Sequence, residues 1–196
     1  MLSDLFLDIG ALGLPGELQP MIWAVAALWL AFLLEKIGLV AIPNLQARGD
    51  IVGIITSSFG HANLAHLLSN SIGLVILMSL FLLATPSPWG GLAVFVLGSG
   101  ALYWIFGPSR VQVRGASDVV YALAGWWVVF SLATGRVTGF AVVTFGMFVY
   151  GLFEAMHPFH DQGGVSATGH FYGFLAGGVW SAHSLSLFDP FLQQWS

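Results

Sequence analysis

The chain has 196 residues, 57% hydrophobic and only 7% charged, whereas roughly a quarter of an ordinary soluble domain is charged. With a mean hydropathy of +0.87, this composition excludes a soluble globular domain and implies a multi-pass membrane protein, one compact helical bundle without a separate soluble domain. The formal charge of −4 includes no basic cluster for nucleic acid, and the lack of cysteine rules out disulfides, thiolate nucleophiles and thiolate metal sites.

Residues 1–19 carry Asp4, Asp8 and Glu17 but no Lys or Arg. They read as a short amphipathic or irregular lead-in and not as a signal peptide. A membrane domain is expected over residues 20–186, followed by a short tail at 187–196. A transmembrane helix needs roughly 20 mainly apolar residues. Six segments qualify, at about 21–40, 62–83, 89–106, 117–133, 138–156 and 166–184. The breaks between them hold turn chemistry: Pro43 to Asp50, Thr85-Pro86-Ser87-Pro88, Gly107-Pro108-Ser109, Thr134-Gly135-Arg136, and His157-Pro158 through Gly163-Gly164. Short connections make sequential helices antiparallel neighbours, so the second, fourth and sixth spans start at one membrane face. Those spans carry the polar residues. The first, third and fifth read as lipid-facing, apart from Glu35, Lys36 and Glu154.

The second span begins around His66 and Asn70, an i, i+4 pair of hydrogen-bonding side chains on one helical face. Such a pair often serves only as interhelical polar glue. His61 is five residues from His66 and off its face, which argues against a metal site. The fourth span opens on Gly115-Ala116-Ser117. Glycine permits a sharp backbone entry, and the first-turn amides of a helix have no intrahelical acceptor. Ser117 can therefore combine a nucleophilic hydroxyl with an oxyanion-binding N–H. Taken singly, a serine helix cap at a small-residue packing site is the commoner reading. Tyr121 lies four residues on, on the face of Ser117, where it can buttress an imidazole. The sixth span carries His170 with Gly169, Gly173 and Gly177, a stripe that lets a neighbouring helix approach closely. Ionisable groups at membrane depth are costly and usually mark function.

In order and spacing, His61-x4-His66-x3-Asn70, Gly115-x-Ser117 and His170-x2-Gly173-x3-Gly177 resemble the rhomboid family of intramembrane serine proteases. The similarity runs from about Gln46 to Trp180. It implies an all-α membrane protein with a six-transmembrane-helix core, and an enzyme that cleaves transmembrane or juxtamembrane segments of single-pass or multi-pass membrane proteins. It further implies Ser117 as nucleophile, His170 as general base without a third acidic residue, and no cofactor or metal. In that family the residue matching Tyr121 packs on the catalytic histidine, and those matching His66 and Asn70 assist the oxyanion hole. His61 would be structural or help hold water near the site. Two departures stand out. Asp118 replaces the glycine that usually follows the serine, and the first loop lacks the Trp-Arg-bearing insertion of some members. Unscreened, the Asp118 carboxylate would oppose an oxyanion; alternatively it could support a His170 imidazolium, though helix geometry turns it about 100° from Ser117.

The resemblance places the site toward the extracytoplasmic face of a cell membrane. That puts Lys36, Arg48, Arg110 and Arg114 outside and only Arg136 in a cytoplasmic loop, against the positive-inside rule. Two other functions are compatible with the residues: a catalytically inactive relative that binds transmembrane clients, and a histidine-using transporter or haem-binding membrane protein.

Overall fold

The structure is a computed structural model describing residues 16–85, 88–109, 111–136, 139–141, 143–147 and 167–186. Helix α1 (Gln19–Lys36) starts with Pro20 in its first turn, where a missing N–H costs nothing. A first connection follows, containing strand β1 (Leu45–Gln46), the short helix α2 (Gly53–Thr56) and a 3₁₀ turn at Ser57–Phe59. Helix α3 (Leu64–Ala84) is capped by Asn63, whose side chain accepts the His66 N–H at 2.9 Å. It ends at Thr85, which is extended because Pro86 follows. Helix α4 (Pro88–Phe106) contains a π segment at Val94–Gly98. Strand β2 (Gln112–Val113) leads to α5 (Ser117–Ala133), and α6 (Ala167–Ser184) completes the described helices, after a helical stretch at 139–141 and 143–147.

Three helices, at Gly16–Lys36, Leu64–Ala84 and Pro88–Phe106, are long and apolar enough to cross a membrane, and α5 is a shorter apolar helix. Most of the expected fifth span, at 138–156, and the His157–Gly164 connection lie outside the described residues. The expected first span stops early, because the chain turns after Lys36. The second starts at Leu64, so His61 belongs to the connection that precedes it.

The first connection is also more ordered than the turn residues of Pro43 to Asp50 suggest. β1 pairs antiparallel with β2, Leu45 opposite Val113 and Gln46 opposite Gln112. Asn44 Nδ2 donates to Gln112 Oε1 at 3.0 Å, and Trp104 Nε1 donates to the Gly49 carbonyl at 2.9 Å. The segment ahead of Ser117 is thus laced to the segment ahead of α3.

Phe81, Phe95 and Trp126 meet edge to face at the centre, joining α3, α4 and α5. Helix α1 lies outside α3, with Trp29 Nε1 donating to Ser71 Oγ at 3.1 Å. Leu30, Leu33, Ile72, Ile76 and Leu83 remain exposed on outward faces. A bilayer satisfies such surfaces, and helices keep every backbone group paired there.

Candidate active site

Helices α5 and α6 pack backbone to backbone. A Cβ at Gly173 would overlap the Asp118 carbonyl, and one at Gly177 would overlap the Ala122 carbonyl. From the other side, a Cβ at Gly125 would overlap the Phe174 carbonyl. This seam brings His170 over the first turn of α5. His170 Nε2 lies 3.0 Å from Ser117 Oγ, and the Tyr121 ring stacks on the imidazole with centroids 4.1 Å apart and planes 11° apart. Gly169, just before His170, is also buried.

Gly115 turns the chain into α5 at φ 110°, a conformation L side chains rarely adopt. Its space is also closed: a Cβ there would come within 2.6 Å of His66 Cε1, 2.7 Å of His66 Nε2 and 3.1 Å of Asn70 Nδ2. The imidazole of His66 and the amide of Asn70 therefore converge two residues before Ser117. Asn70 Nδ2 donates to His61 Nε2 at 3.0 Å, while His61 Nδ1 faces the Phe59 carbonyl at 3.2 Å. These partners fit a neutral His61 carrying its proton on Nδ1. Burial, with His66 alongside, pushes the His61 imidazole down to about 3. An amide nitrogen carries two hydrogens, so the bond to His61 does not exhaust Asn70 as a donor. His61 and His66 are brought together after all, with ring centroids 5.2 Å apart, because His61 reaches back from the connection and not from the helix. Among the described residues no three His, Asp or Glu side chains are grouped to hold a metal ion.

A small cavity beside the pair is lined by Ser117, His170, Asp118, Ser99 and Tyr103, among others. Its volume of about 20 Å³ is room for about one water molecule. Ser117 itself is only 8% exposed.

A Rhomboid domain family model matches residues 48–186, well over half the chain and all of the residues just described. The chain belongs to the rhomboid family. It is also 31% identical over 173 residues to an uncharacterized protein of Mycobacterium bovis and to uncharacterized proteins from two strains of Mycobacterium tuberculosis. Each alignment covers 80% of this chain and 71% of the relative. With its apolar helices, this rhomboid protein is an integral membrane protein.

Asp118, the rhomboid departure, is aimed at serines on other elements. Its Oδ1 accepts the Val119 N–H at 2.8 Å and lies 3.4 Å from Ser58 Oγ, while Ser99 Oγ reaches Oδ2 at 3.1 Å. The carboxylate is thus screened by donors, the condition under which it weighs least on a neighbouring anion. Ser99 follows the π segment of α4 and also bonds the Phe95 carbonyl. Neither Ser58 nor Ser99 stands out in the sequence as a site residue. Nor does Arg114, whose Nη2 holds both carboxylate oxygens of Glu35, at 2.7 and 2.6 Å. The available signal was Glu35 itself, a charge in an otherwise lipid-facing span.

Proposed function

We propose that this rhomboid protein is an intramembrane serine endopeptidase acting on transmembrane or juxtamembrane segments of other membrane proteins. The observation that carries the reading is the 3.0 Å contact between His170 Nε2 and Ser117 Oγ, with the imidazole stacked on Tyr121. A serine hydroxyl is a weak nucleophile until an adjacent base takes its proton. In the proposed reaction Nε2 accepts that proton as Oγ bonds to the scissile carbonyl carbon. The same proton then passes to the leaving amine as the C–N bond breaks. Water hydrolyses the resulting acyl-enzyme, with His170 again the base, and Ser117 Oγ recovers its proton.

The tetrahedral intermediate needs donors where its oxygen becomes negative. The Ser117 N–H, Asn70 and His66 surround the Gly115 turn and suit that role. One such donor contributes about 2.7–4 kcal/mol in a serine protease. Gly115, Gly173 and Gly177 hold these groups at short range, and His61 fixes the Asn70 amide.

The six-span topology and a site opening to the extracytoplasmic side belong to the same proposal. The adverse charge count is smaller than the sequence suggests. Arg114 is neutralised by Glu35, Lys36 Nζ donates to the Ala62 carbonyl at 3.4 Å, and Arg48 Nη2 donates to the Ile105 carbonyl at 3.3 Å. Only the Arg114 charge is cancelled, so the adverse count falls by one.

Cleavage of a generic transmembrane reporter in liposomes tests the reading. Wild type should cut it and react covalently with a fluorophosphonate, and Ser117→Ala should do neither while keeping its helical circular dichroism. Equal cleavage by wild type and Ser117→Ala would remove the serine-peptidase assignment. A folded wild type that neither cuts nor labels would favour a client-binding role.

A further inference from the structure

We propose that Glu35, in the last turn of α1, is a positioning residue for Ser117 and acts through the Arg114 guanidinium; this rests on the peptidase reading above. Only Gly115 and Ala116 separate Arg114 from Ser117, so a displacement of Arg114 is passed on to the nucleophile with little slack. The segment is held from two sides. Gly115 N–H donates to the Ser57 carbonyl at 2.8 Å, which fastens the backbone to the Ser57–Phe59 turn. The Arg114 guanidinium lies against Gly60 at the end of that turn, where a Cβ would come within 3.0 Å of Nη2 and 3.1 Å of Nε.

Glu35 secures the guanidinium in that seat. The two side chains are 22% and 19% exposed, and among the described residues Arg114 Nε is buried without a hydrogen-bond partner. An arginine cannot shed its charge, so without Glu35 a mostly buried cation would be left uncompensated. Its escape is to turn toward water, which draws the Arg114–Ser117 segment off the Ser57–Gly60 turn. Helix α1 has other moorings: Met21, Leu28 and Phe32 are buried in the core, and Trp29 bonds Ser71. Loss of the Glu35 charge should therefore disturb the nucleophile more than the fold. The sequence separation of 79 residues makes Glu35 a remote contributor that no local motif announces.

Steady-state cleavage of the transmembrane reporter by Glu35→Gln, Arg114→Gln and the double variant tests this, with thermal unfolding in detergent alongside. Glu35→Gln should lower kcat by about tenfold to a hundredfold, the range that a misplaced reacting atom costs. KM and the unfolding midpoint should stay near wild type. Fluorophosphonate labelling should slow in parallel, and the double variant should be no slower than Arg114→Gln alone. Arg114→Lys keeps the charge but loses the planar fork, so it should also reduce kcat, and it serves as the readout if Glu35→Gln does not fold. Wild-type kcat in Glu35→Gln or, where that variant is unfolded, in Arg114→Lys would overturn the proposal. So would a fall in kcat matched by an equal loss of stability. A wild-type protein that cuts nothing would instead sink the peptidase reading.

Discussion

Two regions meet at Ser117, and they are built by opposite means. On the α5–α6 side, three glycines let two backbones touch, and the Ser117–His170 contact follows from the fit of the helices. On the α3 side, the His66 ring and Asn70 amide reach the Gly115 turn through side chains, with Asn70 steered by a hydrogen bond to His61. A packed seam has little room to adjust, because interiors are close-packed and felt at the level of a methyl group. A hydrogen-bonded arm loses one donor at a time. Damage to the seam should therefore be abrupt, and damage to the arm graded.

The largest expected effect is at the seam. Gly173→Val puts branched volume into the Asp118 carbonyl, and Gly177→Val does the same against Ala122. Separating the helices by even 1 Å can cost about a hundredfold in rate. Both variants should lose at least that much reporter cleavage while remaining helical by circular dichroism. Near-normal turnover in either would show that the seam opens without consequence for the Ser117–His170 contact.

The arm should respond in two grades. Asn70→Ala removes a donor needed once charge develops on the oxyanion, so kcat should fall by about a hundredfold to a thousandfold with KM little changed. His61→Ala leaves that donor in place and only frees its orientation, so its loss should be distinctly smaller. Equal losses would mean that His61 takes part in the chemistry directly, and a rise in KM alone would make Asn70 a substrate contact.

Tyr121 sharpens the contrast from the seam side, because its ring stacks on the base. Stacked pairs contribute about 0.5–1.5 kcal/mol. Tyr121→Phe keeps the ring and should retain most of the wild-type kcat, whereas Tyr121→Ala should lose about three- to tenfold. Single-turnover acylation measured over a pH series would show whether the loss follows the imidazole. A Tyr121→Phe variant as slow as Tyr121→Ala would move the role from the ring to the hydroxyl.

The seam was the part most open to sequence reading, because helix periodicity and glycine spacing are local. The fourth span begins at Ser117 and ends at Ala133 as its apolar run predicts, and Tyr121 falls on the face of Ser117 by simple i, i+4 geometry. The arm was legible only in its helical half. His66 and Asn70 share a face, but His61 approaches from an irregular connection whose path no periodicity encodes. The polar clasp around Arg114 was less legible still. The β1–β2 pairing, the Gly115–Ser57 hydrogen bond and the Glu35 ion pair join residues 58 to 79 apart, and short loops give no register for such contacts.

Asp118 stands where the two regions meet, and its replacement should have the smallest effect, because two consequences oppose each other. Its charge lies next to the nucleophile and raises the cost of an oxyanion. Its oxygens also tie the first turn of α5 to Ser58 and Ser99. Asp118→Asn separates these effects. The Ser99 hydroxyl has one proton and three acceptors within reach, Asp118 and the Phe95 and Val96 carbonyls. An asparagine amide can donate to Ser99 Oγ and leave that proton to Phe95, while its oxygen still accepts from Ser58 and the Val119 N–H. Asp118→Asn should therefore turn over at wild-type rate or up to about threefold faster, within the 0.3–1 kcal/mol typical of a charge near a helix terminus. Asp118→Gly sheds the charge but also the tie, and should fall below Asp118→Asn. A glycine variant that matches or exceeds the asparagine one, with equal stability, would show that the tie is idle and that only the charge was felt at Ser117.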